Sequence, residues 1–165
     1  MRIATYNLES LDLPPRAKRS IEERVAMLAP ELQRARADVV CLQEVNAQSD
    51  PGHHHRSLRA LDRLLEDTPY THYHRSVSEM NIGSGIGDVQ SLIVLDRAID
   101  EGRRFSVIHQ GRPQMLDHIL ASRAMYGRFV AIEVHNEALS DEAVGYARVD
   151  RPTGSYHACV VAEFT

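Results

Sequence analysis

A surplus of basic residues is missing from this chain. Its 19 Lys and Arg stand against 23 Asp and Glu, a formal net charge of −4 over 165 residues. Proteins that grip nucleic acid irrespective of sequence carry a basic face. A large electrostatic footprint is therefore excluded, while a nuclease working through a metal and a local groove is not. Cysteine is scarce: Cys41 and Cys159 each sit inside an apolar run, so both are expected as small core residues in a reduced compartment rather than as a disulfide. No apolar run approaches the length of a membrane span. The opening Met1-Arg2-Ile3-Ala4-Thr5-Tyr6 has no signal-peptide core. A soluble cytoplasmic protein with no membrane partner is the expectation. Repeats and low-complexity segments are also lacking. With 43% hydrophobic and 25% charged residues, the chain has the composition of one folded domain spanning residues 1–165.

What is present centres on Ala37-Asp38-Val39-Val40-Cys41-Leu42-Gln43-Glu44-Val45. The apolar run Val39 to Leu42 predicts a strand buried on both faces. A carboxylate, Glu44, stands at its mouth, where burial is costly unless water, a metal or a hydrogen bond receives the charge. Ligand sites tend to lie just past the carboxyl ends of such strands. Upstream, Arg2 to Leu8 predicts a strand that Asn7 ends. Ser20 and Glu23 form a capping box. Ile21, Val25, Leu28 and Leu32 then mark one face of a helix, which Pro30 is expected to kink or split. Strand, helix, strand is the opening of a crossover unit.

Further along, Asp50-Pro51-Gly52 and His53-His54-His55 lie in a polar loop. Leu58, Leu61, Leu64 and Leu65 predict a second helix, stopped by Pro69, and Tyr70 to Val77 alternates like an exposed strand. The glycines of Asn81-Ile82-Gly83-Ser84-Gly85-Ile86-Gly87 fit a simple connection, because neither the P-loop Lys-Ser/Thr nor the Gly-x-Gly-x-x-Gly spacing accompanies them. Leu92 to Leu95 suits a strand or a short helix. Strands are expected over Phe105 to His109, Met115 to Ala121, Phe129 to Val134 and Tyr156 to Phe164. Gly111-Arg112-Pro113 forms a turn, and one helical turn starts at Ser140-Asp141-Glu142. The second half reads as antiparallel, and the whole as α+β. The histidines at 53–55, with His72 and His74, lack the partners of a tetrahedral set, so a solvated loop is expected there.

Four polar residues fall at strand ends or faces: Asn7, Glu44, Asp117 and His157. Each has an ordinary structural reading, as a turn residue, a loop carboxylate, a loop cap and a satisfied histidine. Together they fit a site for phosphate-ester hydrolysis. A hard cation takes oxygen ligands such as Glu44 and the Asn7 carbonyl, and a histidine held by a carboxylate can orient and deprotonate water.

Thr5-Tyr6-Asn7-Leu8 and Asp38-Val39-Val40-Cys41-Leu42-Gln43-Glu44-Val45 resemble the first two motifs of the endonuclease/exonuclease/phosphatase superfamily, the deoxyribonuclease I-like group. Met115-Leu116-Asp117-His118-Ile119-Leu120-Ala121-Ser122 resembles its late aspartate-bearing strand. Gly154-Ser155-Tyr156-His157-Ala158-Cys159-Val160-Val161 resembles its terminal Ser-Asp-His motif and strand. Residues 1–45 and 104–165 carry most of the match. The resemblance implies an α/β/β/α sandwich and Mg²⁺ or Mn²⁺ as cofactor. It makes Glu44 the main metal ligand, Asn7 a helper at the metal or a phosphate oxygen, His157 the group that activates water, and Asp117 the group that orients His157. The implied partner is a phosphate-ester substrate, with nucleic acid among the candidates.

The chain departs from the family pattern in two places. Tyr156 stands where the family has Asp, and tyrosine carries no charge at neutral pH. The family's central motifs are missing. Gly87-Asp88-Val89-Gln90 approaches Gly-Asp-x-Asn but is read as the lead into Leu92, and an internal loss near 76–90 is expected. The shortened sandwich would expose strand edges. The alternative function is thus a catalytically depleted remnant that binds a partner or self-associates into a homo-oligomer.

Overall fold

A computed structural model describes residues 1–14, 19–49, 56–75, 92–147 and 154–165. The seam expected near 76–90, with Asp88, and the histidine triplet at 53–55 lie outside the described residues. In chain order the elements are β1 (Arg2–Leu11), α1 (Ile21–Ala35), β2 (Val39–Val45), β3 (Gln48–Ser49), β4 (Arg56–Ser57), α2 (Arg59–Glu66), β5 (Ile93–Val94), β6 (Val107–His109), β7 (Arg112–Gln114), β8 (Leu120–Ala121), α3 (Arg123–Tyr126), β9 (Phe129–Val134), α4 (Glu142–Ala147) and β10 (Val160–Phe164). This is a mixed α+β fold.

The main sheet runs β2-β1-β10-β9. β1 and β2 pair in parallel across α1, while β10 is antiparallel to both β1 and β9. The capping box forms as the sequence predicts: Ser20 Oγ accepts from Glu23 N at 3.2 Å, and Ser20 N donates to Glu23 Oε2 at 2.9 Å. α1 continues unbroken past Pro30. Proline removes one helical hydrogen bond, to the carbonyl of Ala26, and both residues lie on the exposed face where water can replace it.

Period-two alternation along the strands divides the core in two. Ala4, Tyr6 and Leu8 of β1, with Cys159 and Val161, face Val25, Leu28 and Leu32 of α1 and Leu61 and Leu64 of α2. Val160, Ala162 and Phe164 of β10 face the other way, onto Val134, Leu95, Ile119 and Ala121. β10 is therefore the strand buried on both faces. Val160 and Val161, at most 1% exposed, each contribute about 1.5–3 kcal/mol through that burial.

The prediction of double burial for β2 is corrected. Among the described residues β2 lies at the edge of the main sheet, and its Val39 and Cys41 are exposed, because an apolar run reports composition and not sheet order. Cys41 is not a core residue, whereas Cys159 is. Tyr70 to Arg75 is a turn rather than a strand. Tyr70 is buried, and its hydroxyl donates to Leu32 O and accepts from Ala37 N, each at 3.0 Å, pinning the end of α1 to the entry of β2. The stretch Met115 to Ala121 alternates inward and outward as predicted, but forms ladder pairs only at β8.

Candidate functional site

The site forms where β1 leaves its regular course. Between the Asn7–Gln43 and Leu11–Val45 pairings, β1 advances four residues while β2 advances two, so the strand bulges. Glu9, Ser10 and Glu44 all take left-handed backbone conformations, with φ of 51°, 54° and 55°. For residues other than glycine each costs about 1–3 kcal/mol and persists only where surroundings hold it. The site's own hydrogen bonds do so. Glu9 N donates to Asn7 Oδ1 at 2.9 Å, and Ser10 N donates to Glu44 Oε2 at 3.1 Å. From α1, the Arg24 guanidinium donates to the carbonyls of Leu8, Glu9 and Gly154, tying the bulge to the segment that carries His157.

All four residues singled out in the sequence come together. Asn7 Nδ2 donates to Glu44 Oε1 at 3.0 Å. Ser155 Oγ donates to the Asn7 carbonyl at 2.7 Å and accepts from His157 N at 2.9 Å. His157 Nδ1 stands 2.7 Å from Asp117 Oδ2. An ionised carboxylate only accepts, so Nδ1 carries the proton and Nε2 is left as the basic nitrogen. That nitrogen faces Glu9 Oε1 at 3.9 Å. The Asp117 hydrogen bond, then the charges of Asp117, Glu9 and Glu44, raise the His157 pKa above the ordinary imidazole value, against the opposing effect of burial.

The Asn7 side chain is engaged at both ends of its amide. Its side-chain Oδ1 accepts from Glu9 N and its NH₂ donates to Glu44, two contacts that together fix the amide orientation. Its side chain therefore holds the Glu44 carboxylate and the bulge. Carboxylate oxygens are of the hard type that Mg²⁺ and Mn²⁺ take. Glu44 could supply such oxygens.

Several site residues were not foreseen. Ser106, fully buried, accepts the N–H groups of Leu116 and Asp117 on its hydroxyl, both at 3.0 Å, and its carbonyl accepts from Ala158 N at 2.8 Å. One residue thus sets the backbone beside both Asp117 and His157. Glu142, at the start of α4, pairs with His109 Nδ1. Asp141 caps the same helix, accepting from Ala143 N at 2.9 Å, and also takes Gln110 N at 3.1 Å and Gly111 N from the β6–β7 turn. Glu9, Glu142 and His157 each offer a ligand atom within 4.8 Å of the others. Of the three, only His157 was singled out in the sequence.

Tyr156 is buried, and its ring lies against Gly145 of α4 so closely that a β-carbon there would stand 2.1 Å from the Tyr156 hydroxyl. It supports α4 by packing. Beside it a cavity of about 180 Å³, lined by Tyr6, Met27, Glu31, His135, Leu139 and Cys159 among others, reaches His157.

Comparison with protein-family models, with curated proteins and with solved structures returns no match. Among the described residues no helix is long and apolar enough to cross a membrane.

Proposed function

We propose that this chain is a divalent-metal-dependent phosphoesterase, related to the endonuclease/exonuclease/phosphatase superfamily, that hydrolyses a phosphate ester with water activated by His157. One observation carries this reading: the Asp117–His157 pair and the Asn7–Glu44 pair share one end of the main sheet, joined through Ser155. The motif resemblance noted in the sequence supports it.

Asp117 holds the imidazole in the tautomer that leaves Nε2 basic, so His157 can take a proton from water. Glu44 would hold the cation, which supplies positive charge to offset that developing on phosphoryl oxygens. Asn7 and Ser10 orient the Glu44 carboxylate. The fold this reading calls for is a shortened α/β/β/α sandwich. α1 and α2 cover one face of the main sheet, and the β5–β8 ribbon flanks the other, where Leu95 and Ala121 meet β10. Two free thiols fit a reducing, cytoplasmic setting.

The test is hydrolysis of bis-p-nitrophenyl phosphate and of plasmid DNA with Mg²⁺, with Mn²⁺ and with chelator. Metal-dependent turnover is expected, and Glu44→Ala should lower it by on the order of 10²-fold. A Glu44→Ala protein as fast as the parent would overturn the reading.

A second reading is self-association. β2 ends the main sheet with exposed Val39 and, among the described residues, pairs on one side only, the kind of edge that recruits another strand. Light scattering showing a strict monomer at high concentration excludes it.

A further inference from the structure

We propose that Glu9, Glu142 and His157 form a second cation site, separate from Glu44, that takes a divalent transition metal of the Zn²⁺ class. The three come from unrelated parts of the fold: the β1 bulge, the first turn of α4 and the segment entering β10. Their ligand atoms nevertheless all lie within 4.8 Å of one another. Bonds of about 2.0–2.2 Å at tetrahedral angles need such atoms about 3.4 Å apart, so the three ligand atoms draw together when a cation binds.

The donor set selects the metal. One imidazole nitrogen with two carboxylates suits Zn²⁺, Co²⁺ or Mn²⁺, whereas Mg²⁺ and Ca²⁺ prefer oxygen throughout. The Glu44 carboxylate, held by Asn7 and Ser10, offers only oxygen. The chain thus presents a hard position and a borderline one side by side.

Two of the ligands are already oriented from behind. Asp117 accepts the Nδ1 proton of His157 and turns Nε2 toward the cluster. His109 grips Glu142. A carboxylate behind a ligating histidine is the outer-shell arrangement that fixes tautomer and ring orientation in metal sites. The carboxylate side chains are largely withdrawn from water, at 15% exposed for Glu9 and 21% for Glu142, so a cation between them offsets a charge that solvent screens poorly. Three protein ligands leave positions open for water. On the phosphoesterase reading, occupancy engages His157 Nε2 and withholds it from proton transfer, so Zn²⁺ inhibits the Mg²⁺-supported reaction.

The test is a Co²⁺ titration of the whole, tag-free chain, followed by visible absorption, with Zn²⁺ as competitor. It is run in a background where His53, His54 and His55 are each replaced by serine, which removes the histidine loop as a rival ligand. One Co²⁺ per chain is expected, with the intense visible band of low coordination number, displaced by Zn²⁺. Glu142→Gln and Glu9→Gln, each checked by thermal melting for an intact fold, should weaken binding at least tenfold, and Glu44→Gln should leave it in place. Co²⁺ that keeps its hexa-aquo spectrum, binding that survives both Glu9→Gln and Glu142→Gln, or binding lost with Glu44→Gln overturns the proposal. The titration contains no phosphate ester, so its failure and the failure of the hydrolase reading are separate results.

Discussion

His157 Nδ1 and Asp117 Oδ2 lie 2.7 Å apart although the residues are 40 positions apart in the chain. The pair links the segment entering β10 to the segment before β8. Its hydrogen bond is the largest of the influences that raise the His157 pKa.

The raised pKa sets a pH profile. As a base, His157 works unprotonated, so hydrolysis should climb with pH and level off only above the ordinary imidazole value of about 6.5. Asp117→Asn removes the charge and leaves at most a weaker, neutral hydrogen bond. It should move that limb toward lower pH and reduce the plateau by about 10²–10⁴-fold. Stability follows the same linkage. A group whose folded pKa is raised stabilises the fold fully below its unfolded pKa, and loses that contribution as pH rises through the folded value. The stability gap between parent and Asp117→Asn should therefore be widest in mildly acidic buffer and narrow as pH rises, as urea melts across the pH series would show. A gap that widens with pH contradicts the assignment.

Ser106→Ala should damage the site without touching any reacting group. It strips the shared acceptor from Leu116 N and Asp117 N, and orphaned buried donors cost about 1–3 kcal/mol. A lower melting temperature should accompany a loss of turnover. Ser106→Thr, which keeps the hydroxyl, should restore part of the rate.

Gly145→Ala tests the contact between Tyr156 and α4. The added carbon meets the ring of a buried tyrosine, and overpacking of this kind costs about 1–3 kcal/mol. Combining it with Tyr156→Leu should recover most of the stability, a coupling readable in a double-mutant cycle of denaturant midpoints. Strict additivity would mean that the two residues do not press on each other.

The two thiols should react very differently. Cys41 is exposed on the edge strand β2, whereas Cys159 is buried and its thiol is pushed up to about 12, chiefly by that burial. A disulfide-exchange reagent at neutral pH should titrate one fast equivalent in the native protein and a second only on unfolding. Two fast equivalents would contradict the placement of Cys159.

Much of this fold is legible where the signal is local. Ser20 and Glu23 announce α1, the leucines at 58–65 announce α2, and Phe129–Val134 is found at its full length as β9. The error over β2 has a plain cause. Val39–Leu42 and Val160–Val161 look alike as apolar runs, yet one lies at the edge of the sheet and the other at its centre. Strand order depends on long-range pairing, which no short window contains. Tyr70 misled because its alternation with His72 and His74 arose in a turn that serves the tyrosine hydroxyl. In the site, Asn7, Glu44, Asp117 and His157 stood out because polar groups beside apolar runs are costly without a purpose. Glu142 and Ser106 did not. A glutamate at a helix start and a serine beside a strand are commonplace, and only the tertiary fold brings them to His157.

The position of β10 bears on how the molecule is made. The strand that the core surrounds on both faces follows every other strand of the main sheet in chain order, and it separates β1 from β9. Until residues 160–164 emerge, β1 has only β2 beside it, β9 has no neighbour in the main sheet, and both hydrophobic clusters lack their shared wall. During synthesis the nascent chain must therefore shelter two unfinished apolar surfaces until β10 is made. β10 then brings both halves and His157 together in one closing event.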